Sequence, residues 1–446
     1  MRELQKSNKQ FQKAITKLPL GVSSNFRYWG EDKTIYIKRA KGARLWDLDD
    51  NEYIDYRLAY GPTILGYADP RVDEAARRGI EIGGVFALAT ELEYEVAKQI
   101  SGMVPAAELV RFSNSGTEAV MAALRVARAY SGKDGHIILE GGYHGIFNEV
   151  LWETDIEKWD PKDGDPKIIS AGEGIPEIIK LLFHTVPLND ANALEDVLKK
   201  HGDNIAAFLV EPIMGNCCGL TATKQYMQDV RSLCNKHDVV LIIDEVKTGF
   251  RVAKGGVQEL LGVQADLCTF AKAVANGYPI SMLAGREEIM RTIGDRVLHG
   301  GTFTAHSVSL SAANKTLEIL DETDALMHIE KYGHKLQVAF GQILRNRNIA
   351  HCFEGHPSMM GLFFNNQAPK DYRDWSKTNY EFYDAMAPEL HELGIMIEPD
   401  SREPWFMCEA HNMECFKETL DKFEKAVDIT LNKLPPEHLH LVTSEK

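Results

Sequence analysis

Lys272 lies in the run FAKAVANG, flanked by Phe270, Ala271, Ala273 and Val274, and no other lysine occurs between Lys254 and Lys315. Apolar surroundings lower the proton affinity of an amine by removing its water, and a neutral amine is a nucleophile able to form a Schiff base with a carbonyl. An ordinary solvated lysine is the plainer alternative. Asp244 closes the most apolar run of the chain, in LIIDEV, where a carboxylate either caps the next helix or holds a cationic heterocycle in its charged state. In SNSGTEA, the residues Ser115, Gly116 and Thr117 combine hydroxyls, close backbone approach and the unpaired N–H groups of a helix start, which is a phosphate cradle. Ser115 and Glu118 also have the spacing of a capping box. The segment is neither a Walker A motif nor G-x-G-x-x-G, which disfavours nucleoside triphosphates and dinucleotides. Tyr143, in GGYHG, either presents a flat face to a ring or packs in a turn.

These residues need a scaffold that brings them to one place. Short apolar runs at 109–114, 136–140, 206–213, 238–246, 266–271 and 280–285 alternate with helix-length stretches such as 117–130 and 224–237. That alternation predicts a mainly parallel sheet covered on both faces, with ligands taken at the carboxyl ends of its strands. Ahead of it, an amphipathic helix over 3–17 and alternating residues through TIYIKRAKGARLWDLDDNEYIDY predict a small antiparallel sheet with turns at Lys41-Gly42 and Asp49-Asp50-Asn51. After about residue 325 come helices at 326–346, 377–392 and 412–433 and a strand-like run at 359–366. The expected division is 1–68 as an N-terminal segment of a small domain, 69–325 as a large α/β domain and 326–446 as a small α+β domain. With 446 residues, 44% apolar and 26% charged, the composition is that of a globular protein. A net charge of −15 has the wrong sign for nucleic acid or an anionic membrane. Seven scattered cysteines, none in C-x-x-C spacing, fit a reducing compartment and no metal site. With no long apolar run, the expected location is the cytoplasm.

Phosphate cradle, aromatic face, carboxylate and apolar lysine, in that order, are what pyridoxal 5′-phosphate requires. The chain resembles the class III, fold-type I aminotransferases, and among them the branch of glutamate-1-semialdehyde 2,1-aminomutase. The resemblance is carried by PLGVSSNFR (19–27), LWDLDDNEYIDY (45–56), YGP (60–62), RFSNSGTEAVMAALRVARAY (111–130), EGGYHG (140–145), VEPIMGN (210–216), IIDEVKTGFRVAKGGVQ (242–258), AK (271–272) and GGTFTAHS (300–307). It implies a seven-stranded, mainly parallel sheet and a homodimer with shared active sites. By the same resemblance Lys272 attaches the cofactor and shuttles a proton, and Asp244 pairs with the pyridinium nitrogen. Val246 packs on the ring from Asp244's side of the extended chain, and Tyr143 stacks opposite. Ser115, Gly116 and Thr117 bind the phosphate, Thr302 reaches it from the neighbouring subunit, and Glu211 helps orient the cofactor. Arg27 and Tyr60 face the substrate, Arg27 taking its carboxylate.

The departures from that family pattern fall on substrate selection. The segment after YHG, residues 146–176, is charged and carries two tryptophans where the aminomutase has a Gly/Ser-rich lid. TFTAHS stands in place of a threonine-serine-glycine-asparagine-proline run. Near the C-terminus the usual aromatic and acidic positions are replaced by EPDSREPWF (398–406). These differences favour amine transfer from an amino acid or related amine to a separate keto acid or aldehyde. The alternative is an intramolecular shift such as glutamate 1-semialdehyde to 5-aminolevulinate.

Overall fold

The computed structural model describes residues 2–156, 158–159 and 164–434. Its central sheet is built from β1 (Leu109–Ser113), β2 (Gly135–Leu139), β3 (Phe183–Val186), β4 (Ile205–Val210), β5 (Val240–Asp244), β6 (Leu267–Phe270) and β7 (Ser281–Gly285). Among the described residues the order is β1-β7-β6-β5-β4-β2-β3. β7 runs antiparallel to both neighbours and the other pairings are parallel. Every residue of β2, β4, β5, β6 and β7 is buried, as expected for strands covered by helices on both faces. The six apolar runs become β1, β2 and β4–β7. β3, reading FHTV, was not among them, because its two central positions are polar and only half-buried at the sheet edge.

The helix Gly116–Ser131 leaves β1 through a formed capping box and stops at Gly132, whose φ of 73° suits a residue without Cβ. The N-terminal residues form the predicted antiparallel strands Ile37–Lys41, Arg44–Asp47 and Glu52–Asp55, and Ile395–Met396 from the far end of the chain joins them in parallel. The helices expected after residue 325 appear as Ala325–Arg345, Tyr380–Leu393 and Met413–Lys433.

One buried side chain ties three distant segments together. Arg251, 1% exposed, donates from Nη1 to the carbonyls of Ser358 at 3.0 Å and Met407 at 2.8 Å. Its Nη2 donates to the carbonyl of Gly61, and its guanidinium lies over the ring of Phe406. Burial pulls its pKa down to about 10.

Candidate active site

The carboxyl ends of β1, β2, β4, β5 and β6 converge, and each delivers one of the residues singled out above. β5 stops at Asp244, a buried carboxylate held on both oxygens. Oδ1 accepts from the Val246 N–H and from Thr269 Oγ1, each at 3.0 Å, and Oδ2 lies 2.8 Å from His144 Nδ1. Val246 is therefore not on the extended chain, as its two-residue spacing had suggested. The strand has already ended, and Val246 sits in the following turn, where its N–H caps Asp244. The turn still brings Val246 against the Ser115-Gly116-Thr117 loop: a Cβ on Gly116 would lie 3.0 Å from Val246 Cγ1.

In that loop the capping box is formed without using up the N–H groups of the helix start. Glu118 accepts from the N–H of Asn114 at 2.6 Å and of Ser115 at 3.2 Å, while Ser115 Oγ accepts from the Glu118 N–H at 3.3 Å. Among the described residues no acceptor meets the N–H groups of Gly116 and Thr117. Two free donors at the positive end of a 16-residue helix remain for an anion. Gly145 fits against Thr117, since a Cβ there would fall 2.6 Å from Thr117 Oγ1, so the GGYHG turn packs directly on the cradle.

Glu211, past the end of β4, positions that turn. Its carboxylate accepts from the Tyr143 N–H at 2.9 Å and the Gly215 N–H at 3.3 Å. Burial pushes its pKa up, with His144 and Lys247 opposing and Asp244 adding to the rise. The Tyr143 ring meets Phe26 edge-on, and Phe26 meets Tyr60 in the same way. An aromatic wall thus runs from the GGYHG turn to the N-terminal segment. Tyr60 ends a turn in which Leu58, Ala59 and Tyr60 all have positive φ, a strained stretch fixed by its neighbours. Its hydroxyl donates to the Phe26 carbonyl at 3.1 Å and accepts from Arg57, which is itself paired with Glu398.

Lys272 opens the short turn Lys272–Ala275 directly after β6, again with a positive φ, 46°. Its pKa is lowered to about 7. Burial is the largest cause and the charge of Lys247 adds to it, while Glu403, Glu211 and Asp244 oppose. A lowered proton affinity increases the share of the neutral amine, the form that acts as a nucleophile.

Thr302 and Arg27 stand apart from this cluster. Thr302 is exposed and lines a cavity of about 620 Å³ with Phe86, Leu88, Tyr94 and His306. Arg27 is exposed on the rim of a cavity of about 480 Å³ with Trp29, Arg57 and Tyr60, whose lining includes none of Lys272, Asp244 or Tyr143.

Four neighbours carry no role in the sequence reading. His144 and Thr269 hold Asp244, and Lys247 and Glu403 form a buried ion pair beside Lys272. His144 was legible as the neighbour of Tyr143. Glu403 corrects the reading of EPDSREPWF, since this segment does bring an acid to the site. The stretch 146–176, of which 157 and 160–163 lie outside the described residues, contains the hairpin Trp152–Thr154 with Ile168–Ser170. It is pinned by Arg373, which lies over the Trp159 ring, donates to Asp165 at 3.0 Å and grips the buried Glu140 at 2.6 and 2.8 Å. Among the described residues no His/Cys/Asp/Glu cluster could hold a metal ion, and no helix is long and apolar enough to cross a membrane.

Residues 28–427 match the family described as aminotransferase class-III. The glutamate-1-semialdehyde 2,1-aminomutase of Methanothermobacter thermautotrophicus is 37% identical over 424 residues, covering 95% of this chain and 99% of that protein. An omega-transaminase from Sphaerobacter thermophilus superposes with a TM-score of 0.89 at 27% identity, over 95% of this chain and 97% of the other. A transaminase with PLP bound gives 0.87 at 28% identity, over 97% and 99%. The residues in hand fit that cofactor: two unpaired N–H donors at a helix start for its phosphate, a fixed buried carboxylate for its ring nitrogen and a lysine amine of lowered proton affinity for its aldehyde. The chain belongs to the class-III aminotransferases and is a fold-type I enzyme that depends on pyridoxal 5′-phosphate.

Proposed function

We propose that this enzyme moves an amino group with Lys272 as the residue that attaches the cofactor and carries the proton. The observation that carries this reading is the convergence, at one end of the sheet, of the turn that Lys272 opens and a buried aspartate held by His144 and Thr269. The cofactor, when bound, supplies an electron sink for a bond next to the substrate nitrogen. Asp244 keeps the positive charge on its ring nitrogen, and its two protein donors keep the carboxylate aimed. Lys272 would be the group that takes a proton from the substrate carbon and hands it on, across the nitrogen, within the site. Gly116 and Thr117 would hold the phosphate, Glu211 would fix Tyr143 as a partner for the ring, and Val246, which lies against Gly116, would pack beside it.

Of the two reactions open to such a site, the intramolecular shift of an amino group within one amino-carbonyl compound, of the glutamate-1-semialdehyde kind, is supported by the name of the full-length relative. That relative outweighs the departures that pointed first to a separate acceptor. One observation keeps the two-substrate reaction as a second reading: the segment after the GGYHG turn is pinned through Arg373 to Glu140 and Asp165. The deciding experiment is turnover of an amino aldehyde by the purified enzyme with and without pyruvate or 2-oxoglutarate. Product without an acceptor supports the intramolecular reading, and strict dependence on the acceptor replaces it with transamination.

We further propose a homodimer in which Thr302 serves the partner's phosphate site. In support, Thr302 is exposed away from its own cradle, in a neighbourhood that also exposes Leu88 (81%), Leu298 (90%) and Phe303 (61%). The division 1–68, 69–325 and 326–446 is kept as the proposed domain plan, its last residues lying outside those described. Arg27 as a carboxylate selector is likewise a proposal, supported by the absence of a partner for its guanidinium among the described residues.

A further inference from the structure

The proposed chemistry leaves the cavity beside the N-terminal segment without a use. It measures about 480 Å³, with Trp29, Leu45, Tyr60 and Met396 among its walls, Arg27 at its rim and Arg57 in its lining. Leu45 and Met396 are buried in the small sheet, so this part of the wall is fixed and apolar. Tyr60 connects the cavity to the site described above. Its ring centroid lies 6.2 Å from that of Phe26, which in turn lies 6.2 Å from that of Tyr143.

Arg57 gives this cavity its polarity. A guanidinium has five N–H groups in a planar fork. Nε donates to Glu398 at 2.5 Å, and Nη2 donates to the Phe26 carbonyl at 2.7 Å and to the Tyr60 hydroxyl. Among the described residues the two N–H groups of Nη1 meet no acceptor. Glu398 is not part of the lining, and the carboxylate that is, Asp55, already has donors on both oxygens. Its Oδ1 accepts from the N–H groups of Arg57 at 2.8 Å and Leu58 at 3.1 Å, and its Oδ2 from the Tyr67 hydroxyl at 2.7 Å. The described lining therefore offers unused guanidinium donors and no unpaired carboxylate. The backbone after Arg57 passes through three residues of positive φ, Leu58, Ala59 and Tyr60, before it leaves the cavity wall. Strain of this kind persists where neighbours hold it, and it gathers at ligand sites.

We propose that Arg57 is a specificity-determining residue, whose Nη1 takes a carboxylate held at the far end of an apolar chain on the amine substrate. The proposal rests on the amino-group transfer proposed above and names the substrate class for it. A guanidinium edge matches a carboxylate in shape and charge. The apolar walls favour an organic acid with a hydrocarbon body over a fully hydrated anion such as phosphate. Phe26 stands between Tyr143 and Tyr60, so the substrate has to carry its carboxylate several carbons away from the reacting amine. Glu398 fixes the guanidinium through Nε while its negative charge moderates the pull on the ligand. Loss of Arg57 and neutralisation of Glu398 therefore have opposite effects on binding.

The test uses the holoenzyme at about pH 8.5, above the value of about 7 to which burial, opposed by Arg57, raises the Glu398 carboxyl. Calorimetric titration with hexanoate, hexanol and inorganic phosphate reads the pocket without any chemistry. Hexanoate should bind the wild type at least about tenfold more tightly than either of the others, the effect of one charge-assisted hydrogen bond. Arg57→Met should bring hexanoate down to the level of hexanol. Glu398→Gln, whose amide oxygen still accepts from Nε, should tighten it. Hexanoate no tighter than hexanol, phosphate as tight as hexanoate, or hexanoate binding unmoved by Arg57→Met would overturn the proposal. If Arg57→Met does not fold, Glu398→Gln decides alone, and unchanged or weakened binding rejects the role of Arg57. The absorbance of the bound cofactor then ties the pocket to the reaction. In the wild type 6-aminohexanoate should perturb it at about a tenth of the concentration that hexylamine needs, and Arg57→Met should close the gap. Equal responses in the wild type would put the pocket outside the reaction and sink its substrate role. A cofactor that responds to no amine while hexanoate still binds refutes the amino-group transfer instead, and the substrate role with it.

Discussion

His144 is expected to be worth as much to Asp244 as a charge-assisted hydrogen bond can be. The two side chains are 0% and 4% exposed, and the Nδ1–Oδ2 distance is 2.8 Å. Replacing His144 with leucine leaves Oδ2 without its protein donor while Oδ1 keeps Val246 and Thr269. A hydrogen bond to a charged group contributes about 1.5–3 kcal/mol, and stranding a buried charged acceptor costs at least as much. At about 1.36 kcal/mol per factor of ten, the folding equilibrium of the cofactor-free protein should fall roughly 10- to 150-fold. Urea denaturation followed by circular dichroism measures this. His144→Asn, whose amide can donate, should recover part of the loss. The decisive comparison is a cycle with Asp244→Asn: once the aspartate's charge is gone, His144→Leu should cost much less than in the wild type. Equal costs in both backgrounds would show that His144 only fills space, and the account of a carboxylate aimed by its donors would fall.

Three further outcomes are expected. Borohydride should fix the cofactor on Lys272, and Lys272→Ala should abolish turnover while phosphate still competes for the cradle; peptide mapping and a binding assay read the two parts. Acid should destabilise the fold from about pH 6.5 downward through His136 and His411, both fully buried and with pKa values lowered to about 3, chiefly by burial. Between the two pKa values the unfolded chain holds protons that the native one refuses, so stability falls as pH falls, by about 2.7 kcal/mol per pH unit for two such groups. His411→Gln should flatten the urea midpoint against pH, and an unchanged slope would remove His411 from the account. Phe303→Glu should weaken assembly in sedimentation and loosen cofactor retention together, whereas a variant monomer holding the cofactor as wild type does would exclude a shared site.

What could be read from the sequence had local chemical causes. LIID announces a buried parallel strand and the carboxylate at its end, and FAKAV announces a lysine deprived of water. SNSGTE announces a cap and an anion cradle; the cap is formed, and among the described residues the N–H groups of Gly116 and Thr117 meet no acceptor. What could not be read depends on partners far along the chain. Lys247 meets Glu403 across 156 positions and Arg373 meets Glu140 across 233, and no periodicity records such meetings. β3 escaped because His184 and Thr185 interrupt its apolar pattern where the sheet ends. Val246 was misplaced because residue spacing implies a face only while the strand lasts, and this one stops at Asp244.

Arg251 imposes an order on the protein's own making. Its guanidinium stands seven residues after Asp244, yet the carbonyls that satisfy it belong to Gly61, made long before, and to Ser358 and Met407, made long after. During synthesis the turn behind the cofactor strand therefore waits, with a cation and its donors still in water, until nearly the whole chain has emerged. A nascent chain halted before Met407 would lack one of the three carbonyls that Arg251 uses, leaving one of its N–H groups short of an acceptor at a cost of about 1–3 kcal/mol. Closure around Arg251 is thus expected to be complete only once the segment carrying Met407 has been made, and limited proteolysis of chains truncated before that residue would check it.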